Sequence, residues 1–578
     1  MMTINVRARL RQRRLADPTD HDSISRVLRI MMTFQATQSL GLLCLLLCLS
    51  ECVCYSECVA EDKLALSVFI DQNLEQTFEK VGVTPAPLVG DSEFARRVTL
   101  DLAGRIPTPK ELKEFLADLD VGKRGRLVDH LMVSEDYSFH ARNELDIQLL
   151  ARLQWNNEWR AYLLQAIREH RCWDRLFSEI LLPEKMRPDD KGAVAFLKQR
   201  ANDLDAMTND TSTLLFGVNI ACAKCHDHPL VADWHQDHYF GFAKFFKRTF
   251  ATRSGLMAER FEGDLKFTTT LGEEKRAAFM FLNGESIAEP ELSRSAEEWT
   301  EIRAKIKQAE SNDKADPPPV PSFSPREQLV SLALDSNKSN LLAQNAANRI
   351  WARLMGRGLI HPIDQMHSEN PASHPKLLDH LTTELVDHDY DTRVLIRGIV
   401  LSDAYSRGSR LPDSSQLPSP EWFAVRVPRP LTPFQYSLSL WVASRNPDSL
   451  PGRDKPADWP KIREQWEQRA EQFARRFEIP EEHFQVSVEE ALLLSNSPQT
   501  EGEFLRNQSD TLVGYLQTLG DEPRIMDAAF FNVLARDPKE EERAIVRFYL
   551  GARGDRRDQA IQQWVWALLT SAEFRFNH

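Results

Sequence analysis

Five times along this chain a short polar side chain is followed three residues later by Glu or Gln. The segments are Thr108-Pro109-Lys110-Glu111, Ser324-Pro325-Arg326-Glu327, Thr432-Pro433-Phe434-Gln435, Ser487-Val488-Glu489-Glu490 and Asp537-Pro538-Lys539-Glu540. In such a box the first side chain accepts from an orphaned backbone N–H of the opening helical turn, and the Glu or Gln reaches back. Asp at the first position is a variant. Four of the five place Pro at the first helical position, where its missing N–H costs nothing. A chain punctuated this way is built from helices, and the expectation is a mainly α, multi-helical, two-part protein.

Periodicity agrees. Leu342, Ala346, Ile350 and Leu354 form a helical stripe that ends at Gly356, a C-cap residue. Ile561, Val565, Leu568 and Ala572 form another, with Trp564 and Trp566 beside it. Period-two alternation is scarce. Its best instance lies in residues 250–285, where Leu265–Thr270 and Ala277–Leu282 are expected to pair as short strands.

Residues 309–323 are polar and then Pro-rich, a composition that builds no core and favours an extended spacer. They divide the chain into residues 61–250, a variable insert over 251–308 with some β structure, and a helical part over 324–578.

The first sixty residues read as a leader. Seven Arg precede an apolar run from Leu40 to Leu49, too short for a membrane-spanning helix, which needs about 20 residues. A basic stretch followed by a short apolar one reads as an export signal, with Cys58-Val59-Ala60 offering a cleavage site. The chain is then exported, periplasmic or at the cell surface, and touches a membrane only through an uncleaved signal. Only Cys172, Cys222 and Cys225 remain after the leader, so the protein is no disulfide scaffold and relies on its core.

The composition sets further limits. Hydrophobic residues at 42% and charged residues at 27% exclude a wholly disordered chain and a multi-span membrane protein. A net charge of −13 disfavours a nucleic-acid partner, which asks for a basic footprint. The sequence holds no Gly-rich phosphate loop, GxSxG elbow or HExxH motif.

One stretch carries chemistry. Residues 222–238 contain Cys222-x-x-Cys225-His226, the spacing of a c-type haem attachment site. Two thiols at that spacing form thioethers with one haem, and His226 ligates the iron. Covalent haem attachment follows export, which matches the leader. His235, His238 and Met257 are candidates for the sixth ligand, whereas His228 is too near His226 to reach around the ring.

Three other readings stay open. Cys222, Cys225, His235 and His238 are a candidate zinc set, although the His pair is closer than usual; His226, His235 and His238 are the candidate metal-ligating imidazoles. A Cys222–Cys225 disulfide is the second alternative. In the third, the thiols stay reduced in a polar loop. Elsewhere, Cys172 reads as a small buried hydrophobe. Asp101 and Arg105 read as a buried ion pair or a catalytic pair. Asn348, Arg349, Trp351, His361 and Asp364 read as a turn-stabilising network.

Several segments together resemble a known family. The run from Phe94 through Arg97, Asp101 and Gly104 to Pro109 resembles the opening motif of the planctomycete cytochrome C-like domain, and the run from Leu215 to Pro229 resembles its closing motif. The segments Asn348–Pro362, Ser373–Asp379, Leu431–Gln435, Leu494–Pro498 and Glu573–His578 resemble the uncharacterised helical domain that usually follows it. The resemblance implies a large exported two-part protein of unknown role, and only Cys222, Cys225 and His226 carry over as site residues. The segment after Leu149 departs from the commoner pattern, so nothing is carried over from it. Three functions follow as expectations: haem-based electron transfer or redox sensing with a redox partner protein, a non-redox scaffold stapled by zinc or a disulfide, and a component of extracellular polymer degradation.

Overall fold

The computed structural model describes residues 66–578, except 151–155, 186–187, 229–230, 232–233, 292, 412–416, 478, 481–489, 491, 493 and 495–497. The leader therefore lies outside the described residues, as do most of the Ser487–Glu490 box and much of Leu494–Pro498. Helices dominate, and the strands form only two-stranded pairs. No helix among the described residues is long and apolar enough to cross a membrane.

Capping explains many of the helix starts. Thr108 and Thr432 form reciprocal boxes with Glu111 and Gln435, and Ser324 Oγ accepts from the Glu327 N–H at 3.2 Å. A further box, Ser295 with Glu298, starts the Ala296–Ser311 helix. The Asp537 box is corrected. That helix runs Glu540–Gly551, and the Glu542 carboxylate is the acceptor, taking the Lys539 N–H at 2.7 Å and both Arg536 amino groups. The second stripe is also shorter than its periodicity. The helix is Arg557–Leu569, and Ser571 caps a separate turn, Ala572–Arg575. The first stripe holds: Leu341–Met355 ends at Gly356, whose left-handed φ of 88° suits glycine.

The insert forms three successive hairpins. Strand β1 (Thr249–Ala251) pairs with β2 (Met257–Glu259), β3 (Lys266–Thr268) with β4 (Glu274–Arg276), and β5 (Phe279–Met280) with β6 (Ser286–Ile287). The expected pairing of 265–270 with 277–282 is thus replaced. Gly272 and Gly284, at φ 84° and 86°, close tight turns that return each strand within a few residues. Beyond the insert, residues 312–324 hold neither helix nor strand, and Phe323 packs back against Phe279.

The spacer does not separate two cores. Residues Leu66–His578 form one compact unit. Its larger core joins side chains such as Leu66, Trp159, Phe196 and Phe242 to Trp351, Leu381 and Leu395 from beyond the spacer. A second core around Leu440, Phe530 and Val565 takes in Leu100 and Ile106 from the chain's first part. Burying this apolar surface supplies the main drive to fold.

Polar contacts run the same way. Arg463 donates from Nε to Asp136 at 2.7 Å and from Nη1 to Glu467 at 2.7 Å. Asp136 also takes Arg105 at 2.8 Å, and Glu467 takes Arg142 at 2.6 Å and Asn143 at 2.7 Å. All six side chains are buried, so each charge depends on its partners to offset lost hydration. Arg105 therefore pairs with Asp136 and Glu111, not with Asp101 as the sequence suggested.

Candidate functional site

The CxxCH stretch follows the Leu204–Phe216 helix. Gly217 caps that helix at φ 69°, and Val218 bridges antiparallel to Gln365. Met366 N–H donates to Gly217 O at 2.9 Å. Ile220 and Ala223 are fully buried and anchor a 3-10 turn, Ala221–Lys224, while Cys222 and Cys225 are exposed. Cys225 caps the end of this turn, its N–H donating to the Cys222 carbonyl at 3.3 Å. Both are free, so the disulfide alternative is not formed.

Several side chains hold this turn. Gln236, buried at the start of the Gln236–Lys244 helix, donates from Nε2 to the carbonyls of Lys224 and Cys225, each at 3.3 Å. Its backbone N–H donates to Asp227 Oδ1 at 3.2 Å, and its Oε1 accepts from Thr270 at 3.1 Å. Lys224 pairs with Asp205, which also takes the Tyr239 hydroxyl at 2.6 Å. Gln236 is thus a positioning residue the sequence reading missed; its only signal was its place just after the motif.

The His226 ring has a defined polarity. Its Nδ1 lies 2.7 Å from the Asp227 carbonyl oxygen. A carbonyl only accepts, so Nδ1 carries the proton and Nε2 keeps its lone pair for a ligand. His226 is exposed beside the two thiols in sequence.

The other imidazoles are used differently. His235 precedes the Gln236–Lys244 helix and lies 3.3 Å from Asp227 Oδ2, and His238 Nδ1 accepts the His235 N–H at 3.2 Å. Among the described residues, no group of three or more His, Cys, Asp and Glu stands ready to hold a metal. The zinc set Cys222, Cys225, His235 and His238 is therefore not assembled, because its histidines serve the helix start. Met257 is buried in β2 and belongs to the core.

The loop after the motif meets an element that the sequence placed elsewhere. His228 Nδ1 accepts the Val231 N–H at 3.1 Å, and its ring stands edge-on to Trp234 at 5.4 Å. His367, from beyond the spacer, lies 5.5 Å from Trp234 and 6.4 Å from His228. Burial lowers the pKa of both His228 and His367, which keeps them neutral at pH 7. His367 Nδ1 is buried with no hydrogen-bond partner among the described residues. No local pattern linked His367 to the motif, since it lies 139 positions beyond His228.

Asn348 and Asp101 serve the framework. Asn348 brackets Ile360, donating to its carbonyl at 2.9 Å and accepting its N–H at 3.0 Å. Asp101 takes Tyr405, Arg429 and Asn577 at 2.7, 2.6 and 2.9 Å. Cys172 is half-buried, and burial pushes its thiol pKa up, away from nucleophilic use.

Comparison with known proteins bears on the same segments. Residues 69–251 match the family described as PSCyt2, protein of unknown function (DUF1549). Residues 325–482 match PSD1, protein of unknown function (DUF1553). No curated protein matches the chain, and no solved structure does. The chain therefore carries, in order, two uncharacterised domains of planctomycete-type families, PSCyt2 ahead of PSD1.

Proposed function

We propose that this protein holds one covalent haem at Cys222 and Cys225, with His226 as the axial ligand, and acts outside the cytosol in electron transfer or redox sensing. The observation that carries the reading is the His226–Asp227 contact of 2.7 Å beside two free, exposed thiols on one turn. The donor set fits: two thiols able to add S–H across vinyl groups, and an imidazole whose Nε2 is left to bind iron. A haem held there would supply a one-electron iron couple. The chain's own part is to fix the turn through Gln236 and Lys224 and to set the His226 tautomer. Because both thiols are exposed, the group would sit near the surface, within reach of a redox partner protein. Export agrees, since the leader would carry the chain to where such attachment takes place.

The test is an alkaline pyridine spectrum of protein made with a c-type maturation system. One c-type haem per chain is expected, and the Cys222→Ala, Cys225→Ala variant is expected to fold without it. Folded wild-type protein with no such band would overturn the reading.

A further inference from the structure

Away from the CxxCH turn, a cavity of about 410 Å³ lies among the Glu135–Leu150, Asn157–Arg168, Trp173–Leu181, Leu341–Met355 and Thr392–Val400 helices. That volume lies in the range of small-molecule sites. Leu145, Ile147, Ile350 and Ile396 supply much of its apolar wall, and exposed His170 marks its solvent side.

The polar groups on the wall are incompletely satisfied. Trp173 is only 5% exposed, yet its indole Nε1–H has no acceptor among the described residues. Arg353 Nε is buried without a partner, and its guanidinium makes no hydrogen bond or ion pair among the described residues. Among the described residues Arg349 donates to neutral oxygens, Asn345 Oδ1 at 3.0 Å and Thr213 O at 2.8 Å, and the Asp364 carboxylate acts on it at longer range. Burial pushes its pKa down to about 10, so it remains a cation at pH 7. Arg349 and Arg353 are four residues apart and share one helix face. By contrast, Arg393 is already matched by Asp391, at 2.8 and 2.7 Å.

Glu144 is the opposing charge. The His140 Nδ1 lies 3.9 Å from its Oε1. Burial lowers the His140 pKa, so that imidazole is neutral and contributes no cation. Among the described residues neither Arg349 nor Arg353 forms a direct ion pair, with Glu144 on the wall and Asp364 at longer range from Arg349 as the nearby carboxylates.

We propose that this cavity binds a small apolar carboxylic acid, its carboxylate against Arg349 and Arg353 and its hydrocarbon body against Ile350 and Ile396. A half-buried guanidinium without an ion-pair partner keeps donors to spare, and a ligand carboxylate would take them in charge-assisted hydrogen bonds.

The test is calorimetric titration of the purified protein with 2-naphthoate, neutral 2-naphthamide and cationic 2-naphthylmethylamine. Naphthoate is expected to bind at least tenfold tighter than the amide, and the amine weakest. Arg353→Gln should reduce the preference for naphthoate over the amide at least threefold. Ala141→Trp, which fills the cavity from a half-buried position, should abolish binding while circular dichroism shows a folded chain. Equal affinity for naphthoate and amide, tighter binding of the amine, an unchanged preference in Arg353→Gln, or no binding at about 1 mM ligand overturns the proposal.

Discussion

Asn577 donates from Nδ2 to Asp101 Oδ1 at 2.9 Å, joining residues 476 positions apart in a buried contact. The same carboxylate takes the Tyr405 hydroxyl and Arg429, with Arg426 at 3.6 Å. Burial alone would raise the Asp101 pKa, but Arg429 and Arg426 outweigh it and hold the group ionised. Strand β7 (Arg429–Pro430) pairs with β8 (Phe576–Asn577) alongside. The Asp91–Ala103 helix and the segment around Asn577 thus meet at a single buried carboxylate.

Removing that carboxylate strands Arg426 and Arg429. Asp101→Ala is expected to cost about 3–5 kcal/mol, because it leaves uncompensated buried charge. Asn577→Ala should cost less, about 1–3 kcal/mol, since it removes one donor. Urea unfolding monitored by fluorescence measures both. Equal losses would mean that Asp101 is no charge anchor.

The Asp136–Arg463–Glu467 network predicts acid sensitivity. Burial would raise the Glu467 carboxyl, yet Arg142, Arg463 and Arg160 hold its pKa at about 2. Unfolded glutamate titrates near about 4.3. The folded pKa is the lower one, so the stabilisation is complete above the unfolded value and is lost as pH falls through the folded one. Stability is expected to be flat with respect to this group above about pH 5.5 and to fall by about 3 kcal/mol from Glu467 between about pH 5 and 2. Glu467→Gln should be less stable at pH 7 and show a shallower acid slope. Urea midpoints from pH 7 to pH 2.5 check this, and an unchanged slope refutes it.

Much of the helical framework was legible because its signals are local. Thr108, Ser324 and Thr432 each sit within three residues of the group that answers them, and Gly356 ends its helix by backbone geometry alone. Two local signals misled where a stronger neighbour competed: Glu542 took the role given to Asp537, and Ser571 restarted a helix that periodicity ran through. The long-range contacts had no such signal. Nothing near Asp101 marks Asn577 as its partner, and nothing near Cys225 marks Gln236 as the donor to its carbonyl. The spacer looked like a boundary because its composition is polar, but composition says nothing of whether the flanking apolar faces meet. The motif residues Cys222, Cys225 and His226 were readable; the surroundings supplied by His367 and Met366 were not.

Gly217 sets the approach of that second element. A Cβ there would lie 2.4 Å from Met366 Sδ and 2.7 Å from Asn345 Oδ1, at a φ of 69°. Gly217→Ala carries both a steric cost and the left-handed penalty of roughly 1–2 kcal/mol. The expected loss is about 3 kcal/mol in all. Adding Met366→Ala to Gly217→Ala should recover part of the steric share, so the two changes combine less than additively. Strict additivity in a double-mutant cycle would disprove the contact.

Gln236 offers a readout that needs no cofactor. Its two bonds to the Lys224 and Cys225 carbonyls tie the thiol turn to the helix behind it. Losing them should favour local opening by about 1–2 kcal/mol, roughly tenfold in the opening equilibrium. In Gln236→Ala, the amides of Ala223 and Cys225, which close the turn onto Ile220 and Cys222, are expected to exchange with deuterium about tenfold faster. The buried network around Glu467 lies on other helices, so amides of the Trp459–Ala474 helix should keep their protection. Faster exchange confined to the turn identifies Gln236 as its staple. Unchanged exchange at Ala223 and Cys225 would show that the Ile220 and Ala223 anchors hold the turn unaided, leaving Gln236 no positioning role.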